Sequence, residues 1–231
     1  MNKIKKLINY FSTTEIILWC SSVVLIVVSF CIFDRKNYMT LTASLIGVTS
    51  LIFSAKGNPI AQVLMIIFSL IYGIISFSFA YYGEMITYLG MTMPMAVFAL
   101  VSWLRNPYNG NKSQVKVNHI HRSEVAFMLI LTAVVTVVFY FILEFFNTAN
   151  IVPSTISVTT SFLAVYLTFR RNPFFALAYA ANDIVLIVLW IMAVMTDLSY
   201  VSVVICFTVF LANDIYGFIN WQKMKKKQSD A

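Results

Sequence analysis

Long apolar runs alternate with short polar breaks along the whole chain. The runs lie near Thr14–Phe33, Met39–Ser54, Pro59–Ala80, Met85–Leu104, Val125–Phe146, Ser154–Phe169, Phe174–Met195 and Tyr200–Asn220. Each is continuously apolar instead of alternating at every second residue, so each predicts a helix and not a half-buried strand. A bilayer core of ~30 Å is crossed by about 20 helical residues. The pattern therefore predicts an all-α, multi-pass membrane protein with eight transmembrane helices. Strands are set aside, because an open sheet edge cannot sit in lipid.

Composition agrees. Hydrophobic residues make up 60% of the 231 positions and charged residues 11%, against roughly a quarter charged in soluble domains. A folded soluble core could not hide this much apolar surface. The net charge of +7 would point to nucleic acid in a soluble chain. Here the basic residues fall between apolar runs, so membrane topology explains them and no nucleic-acid partner is implied.

With the N-terminus taken as inside, one side carries Lys3, Lys5, Lys6, Lys56, Arg105, Lys112, Lys116, Arg122, Arg170, Arg171, Lys223, Lys225, Lys226 and Lys227. The other carries only Arg35 and Lys36. Positive charge resists translocation, so the split predicts a cell-membrane protein with both termini cytoplasmic. The basic Met1–Lys6 start imitates a signal peptide, but the apolar stretch to Phe33 is too long and lacks a small-x-small exit, so it reads as a mature helix. Cys20, Cys31 and Cys206 lie in or beside apolar runs and read as small buried hydrophobes.

Two stretches match at an offset of 114 residues: Lys56-Gly57-Asn58-Pro59 lies over Arg170-Arg171-Asn172-Pro173, and Asn106 over Asn220. Asn-Pro is also ordinary helix punctuation. The period is four spans, an even number, so the copies share one orientation. Parallel repeats recur in transporters, with the site near mid-membrane between the copies. The chain divides into 1–37 (an amphipathic start and first helix), 38–106 (first three-helix repeat), 107–152 (loop and linker helix), 153–222 (second three-helix repeat) and 223–231 (a basic cytoplasmic tail). In the polar loop Asn106–Arg122, His119 and His121 lack further ligands for a metal and read as solvated.

Two acidic residues fall inside spans, Asp183 in the seventh and Asp214 in the eighth, each preceded by an asparagine. A carboxylate at mid-bilayer costs ~2.5–3.5 kcal/mol or more, so it faces a partner or a water-filled cavity. At 100° per residue, Phe175, Tyr179, Asn182, Asp183, Leu186 and Trp190 share one arc. On the next helix Asn213, Tyr216, Gly217 and Asn220 share a face, with Asp214 and Trp221 on its shoulder. Gln62, Ser69, Gly73 and Ser76 form a polar stripe on the third span. Gln62, Tyr179, Asn182, Asp183, Trp190, Asn213, Asp214 and Tyr216 are thus the candidate binding residues. Rings and amides together suit a flat heteroaromatic solute. The competing reading is structural: polar side chains bridging helices, and Trp19, Tyr81, Tyr82 and Trp221 as interface belts.

At these residues the chain resembles the PnuC family of vitamin-precursor transporters. The run Asn213-Asp214-Ile215-Tyr216-Gly217-Phe218-Ile219-Asn220-Trp221 is similar to the family's N-x-x-Y-G-x-x-x-W helix, and Gly57-Asn58-Pro59 through Gln62 and Tyr82-Gly83-Glu84 fit as well. The resemblance implies a SWEET-like 3+1+3 helix arrangement with an extra N-terminal helix. It also implies nicotinamide riboside as substrate, facilitated diffusion without a cofactor, and a homotrimer. The family's W-x-x-W-x-x-x-N motif is represented here by Phe175, Ala178 and Asn182; the asparagine is kept and both tryptophans are replaced, which leaves another vitamin or a deoxynucleoside open as substrate. An intramembrane aspartyl enzyme using Asp183 and Asp214 as a dyad is the enzyme alternative, but the glycine-rich surroundings of such acids are missing. No P-loop occurs, which argues against ATP-driven transport by this chain. A non-transporting membrane subunit or receptor is the third reading.

Overall fold

The computed structural model describes residues 10–78, 82–148 and 150–230. Eight helices long and apolar enough to cross a membrane lie among them. These are α1 (Thr13–Phe33), α2 (Tyr38–Ala55), α3 (Ile60–Ser78), α4 (Tyr82–Arg105), α5 (Arg122–Phe145), α6 (Ile151–Phe169), α7 (Phe174–Val194) and α8 (Val201–Ser229). Short turns join α1 to α2, α2 to α3, α6 to α7 and α7 to α8, and the longer segment 106–121 joins α4 to α5. Tyr81 and the N-terminal lysines Lys3, Lys5 and Lys6 lie outside the described residues.

Local sequence sets the helix ends. At the start of α1 the Ser12 hydroxyl accepts from the Glu15 N–H and the Glu15 carboxylate accepts from the Ser12 N–H, at 3.2 and 2.7 Å. This reciprocal pair satisfies donors that a helix start leaves open. After α2 and α6 the chain turns through left-handed residues, Gly57 at φ +66° and Arg171 at φ +56°. Glycine takes that conformation freely, whereas Arg171 holds it at a cost of order 1–3 kcal/mol. The next residue is an asparagine in both places. Asn58 Oδ1 accepts from the Ile60 N–H (3.0 Å) and Asn172 Oδ1 from the Phe174 N–H (3.1 Å), which starts the following helix. In α4 the turn Thr87–Thr92 widens to a π-helix. Pro94 follows within a turn and has no N–H to give the regular ladder.

Several expectations are corrected. The segment 223–231 is not a separate tail: α8 continues to Ser229 and packs on the loop, with Gln228 accepting from the Val117 N–H (2.8 Å) and donating to the Val115 carbonyl (3.1 Å). The loop contains strands after all, a small hairpin of β1 (Pro107–Tyr108) and β2 (Asn111–Val115). Its turn is Asn109-Gly110, both left-handed at φ 47° and 75°, the residue pair that a two-residue hairpin loop favours. It forms beside the helix bundle, outside the apolar spans, so the argument against strands in lipid does not reach it. Trp221 is no interface belt but fully buried, and Cys20 and Cys31 are exposed on α1 while only Cys206 is buried. The periodicity of a helix that is apolar all round does not say which face meets lipid.

The two halves bond to each other in matching fashion. Trp103 Nε1 of α4 donates to the Thr168 carbonyl and Trp221 Nε1 of α8 to the Ser54 carbonyl, both at 2.8 Å. Ser102 Oγ donates to the Phe169 carbonyl (2.9 Å), as Asn220 Nδ2 does to the Ala55 carbonyl (2.7 Å). The accepting carbonyls are the helix ends before each Asn-Pro, and each receives its donor from the opposite half. Orphan carbonyls at helix C-termini need partners, and here they serve as the rivets between halves. The match shows that Ser102, not Asn106, is the counterpart of Asn220; Asn106 caps α4 and donates to the Ser102 carbonyl (2.7 Å). Ion pairs correspond too: Lys56 with Glu15 of α1 (3.1 Å) and Arg170 with Glu124 of α5.

Candidate functional site

Asp183 and Asp214 come together. Asp183 is near the middle of α7 and Asp214 near the middle of α8. Both are buried, at 4% exposure each, and their carboxyl groups meet at one cavity wall. Asp183 Oδ2 keeps no partner. They border a cavity of about 40 Å³ lined also by Gly47 and Leu51 of α2, Met65 and Phe68 of α3, Tyr88 and Thr92 of α4, Ser161 of α6, Tyr179 and Asn182 of α7, and Phe207 and Phe210 of α8. Six helices contribute; α1 and α5 do not. No lysine or arginine lies on this wall.

Asn182 is held in one orientation. Its Oδ1 accepts from the hydroxyls of Ser157 (3.1 Å), Thr160 (2.9 Å) and Ser161 (3.1 Å) on α6. The amide N–H groups are thereby left as the donors for the cavity. Tyr179, one turn below, brings its ring edge-on to Phe175 (6.3 Å). The cavity is sealed at both ends by aromatic rings. Toward the hairpin lie Trp103, Phe175 and Trp221, with Trp221 4.9 Å from Phe175 and 5.5 Å from Trp103. Toward the opposite face lie Phe68, Tyr72, Tyr88 and Phe210. Gly47 permits this second seal: a Cβ there would stand 2.4 Å from the Phe210 ring. Space of this size holds a few waters, whereas an organic ligand needs hundreds of cubic ångströms. A ligand of that size does not fit the cavity as it stands.

Of the candidate residues, Tyr179, Asn182, Asp183 and Asp214 line the cavity. Asn213 points away, donating to Ser22 Oγ of α1 (3.0 Å) and to the Val209 carbonyl (2.8 Å). Tyr216 donates to Glu15 Oε1 (3.2 Å) near the hairpin face. Trp190 packs on Tyr200 at 5.2 Å and lines a separate recess near the opposite face with Asp34, Tyr72 and Asp197. Gln62 is buried in α3 but is not part of the cavity wall. Tyr88, Thr92 and Ser161 escaped the sequence reading. The hydroxyl series Ser154, Ser157 and Ser161 on α6, at helical spacing, is the signal that could have found the last.

The face opposite the hairpin is acidic around its openings. A small recess lined by Glu84, Thr87 and Ser157 shares Tyr88 and Ser161 with the central cavity, so the two adjoin. In the Trp190 recess, burial pushes the Asp34 carboxyl above its ordinary range, the Asn37 amide pulls it back, and the nearby Asp197 carboxylate adds to the rise. Neither recess is lined by a lysine or arginine.

Two riveted helix groups, a polar cavity at mid-bilayer between them and an aromatic seal on either side define a membrane transporter for a small solute. Comparison with known proteins gives the family. The family described as nicotinamide mononucleotide transporter matches residues 37–223, and the chain belongs to it. The nicotinamide riboside transporter PnuC of Neisseria mucosa is 24% identical over 203 residues, covering 86% of this chain and 77% of that protein. A solved structure titled as the crystal structure of the vitamin B3 transporter PnuC superposes with a TM-score of 0.81 at 21% identity, covering 94% of each chain. The relatives are named as transporters, and this chain is a transporter and not an enzyme.

Proposed function

We propose that the protein takes up nicotinamide riboside by facilitated diffusion, binding it in the central cavity. The family name speaks of the mononucleotide and the relative's name of the riboside, and the observation that favours the riboside is the wall around Asp183 and Asp214. Two adjacent acids with no basic residue suit a compact pyridinium cation. The mononucleotide adds a phosphate carrying up to two negative charges, which this wall would repel in a low-dielectric setting. In this reading the Tyr179 ring stacks on the pyridinium and the Asn182 amide donates to the carboxamide or ribose. Asp183 and Asp214 offset the positive charge.

The transport cycle opens one aromatic seal at a time. Trp103, Phe175 and Trp221 form the gate on the hairpin side, and Phe68, Tyr72, Tyr88 and Phe210 the gate on the other. We infer that α2–α4 and α6–α8 are the two moving groups of a SWEET-like 3+1+3 arrangement, joined by α5 and preceded by the extra helix α1. The lining of the cavity by those six helices and the reciprocal indole bonds support this. The hairpin face, where α1 begins and α8 ends, is the cytoplasmic one, in keeping with its lysines, and the assembly is a homotrimer. Cysteine labelling at positions 148 and 226 tests the orientation, and native mass spectrometry the trimer.

The test of function is counterflow in liposomes with no gradient other than substrate. Labelled nicotinamide riboside should exchange, and the mononucleotide, thiamine, riboflavin and deoxynucleosides should exchange at least ~10-fold more slowly. Equal exchange of the mononucleotide would replace the substrate. Uphill accumulation driven by a pH gradient would replace the mechanism with a coupled one, which two intramembrane acids make worth testing.

A further inference from the structure

A second recess, of about 410 Å³, opens on the hairpin face between the start of α1, strand β2 and the end of α8. It lies well away from the central acids, and its polar groups sort into two sets. One set is committed. Lys56 is paired with Glu15 (3.1 Å) and lies over the Tyr10 ring (4.7 Å). Tyr216 donates to Glu15 and Asn220 to the Ala55 carbonyl. The only acid of the recess is therefore neutralised where it stands.

The other set faces the opening and is made of donors. Asn111 uses its Oδ1 to accept from the Ser113 N–H (3.0 Å), which leaves its amide N–H groups outward. Ser113 contributes its hydroxyl. Lys223 and Lys227 stand one helical turn apart on the same wall and form no ion pair among the described residues. Topology rules account for exposed lysines on this face, but not for two of them set beside an amide and a hydroxyl along one open recess. Like charges four residues apart on a helix repel, and a bound anion of higher charge relieves that repulsion. Ammonium groups combined with neutral donors are the chemistry that holds phosphate.

We propose that this recess binds a phosphate group carried by a small phosphate ester or by an anionic lipid, on the face of the protein opposite the acidic openings. A phosphate seated there contacts β2 and the end of α8 at once and fixes the α8 end against the hairpin. The recess is thus a place where an anionic compound on that side stiffens the helix that carries Asp214.

The probes are nicotinamide mononucleotide, inorganic phosphate as competitor, and nanodiscs of phosphatidylcholine with or without phosphatidylglycerol. The full chain is used throughout, as wild type, K223Q/K227Q and D183N. In phosphatidylcholine discs, calorimetry should show mononucleotide binding that inorganic phosphate competes away, that weakens at least ~10-fold in K223Q/K227Q and that persists in D183N. Where the lipid is the source, native mass spectrometry should instead show phosphatidylglycerol retained by wild type and lost from K223Q/K227Q. Binding of either ligand that is unchanged in K223Q/K227Q overturns the proposal, as does binding of neither. Riboside counterflow fails independently of these outcomes, so the central-site reading and this one are judged apart.

Discussion

Gly47, Met65 and Phe68 reach the central cavity from the first half of the chain, and Ser161, Tyr179 and Asn182 reach it from the positions 114 residues later. Next to them stand Ser69 and Asp183, again equivalent positions. At these matched positions the first-half wall is without polar groups, its phenol and hydroxyl coming instead from Tyr88 and Thr92 of α4, and Ser69 Oγ is buried nearby with no partner among the described residues. The second-half wall carries an amide, a phenol and an acid, and Asp214 adds a second. Outside the cavity the halves agree closely: the same left-handed turn, the same asparagine at the next helix start, the same indole-to-carbonyl bond. The repeat thus supplies a symmetric frame. Divergence within it left both acids and the amide of the cavity on the second half, and only Tyr88 and Thr92 as polar groups on the first.

That contrast is open to direct attack. The largest effect is expected at Asp183. Truncating one member of a buried charged recognition pair typically costs ~2–5 kcal/mol, so Asp183→Asn should slow riboside counterflow at least ~30-fold. Ser69→Ala, at the matching position, should stay within about twofold, because a hydroxyl without a partner contributes little. Equal losses in the two variants would end the idea that the charged recognition groups lie on the second half.

Asn182→Ala comes next. It removes a ligand donor and leaves the three α6 hydroxyls without their acceptor, and a lost buried hydrogen bond of ~1–3 kcal/mol weakens binding ~5- to 150-fold. Calorimetry on folded protein checks this; unchanged affinity would move the ligand away from α7. Tyr179→Phe should be milder than Tyr179→Ala, since the ring and not the hydroxyl does the stacking.

Trp103→Phe and Trp221→Phe sharpen the other side of the comparison. Each strips a helix-end carbonyl of its donor, for about 1–3 kcal/mol. If the frame is symmetric, thermal unfolding in detergent should shift by similar amounts for the two. A shift confined to one would show that the halves are not riveted equally.

The smallest effect should be at the ion pairs. Glu124→Gln disturbs a partly exposed pair worth ~0–1 kcal/mol. Glu15→Gln should cost more, because Glu15 also caps α1 and receives Tyr216. Equal, negligible shifts in melting temperature would mean that α1 is not anchored through Glu15.

The sequence carries the span count, because twenty apolar residues in a row have few other uses. It also carries Asn182, Asp183 and Asp214, since an acid inside such a run stands out. It does not carry height along a helix. Trp190 shares the arc of Asp183 but lies seven residues further on, ~10 Å along the axis, which puts it in a different recess. Nor does it separate Asn213 from Asp214: the pair looks like Asn182-Asp183, yet a rotation of 100° sends Asn213 to Ser22 on α1 and Asp214 to the cavity. Only the packing of α1 against α8 decides that. Tyr88 and Thr92 sit in the π-helical turn, where ordinary helical periodicity fails.

Helix α8 has 29 residues, about 43 Å at 1.5 Å per residue, against a hydrocarbon core of ~30 Å. The rod that bears Asp214 in mid-membrane therefore carries on into the aqueous phase, where Gln228 clasps the hairpin strand. Gln228 stands ~21 Å beyond Asp214 along that axis, so a tilt of about 5° pivoting at the acid sweeps the far end by roughly 2 Å. Any tilt of α8 is in that sense displayed outside the lipid, like a pointer on a dial. A fluorophore pair on the hairpin tip and the end of α8 would read each turnover without touching the binding site.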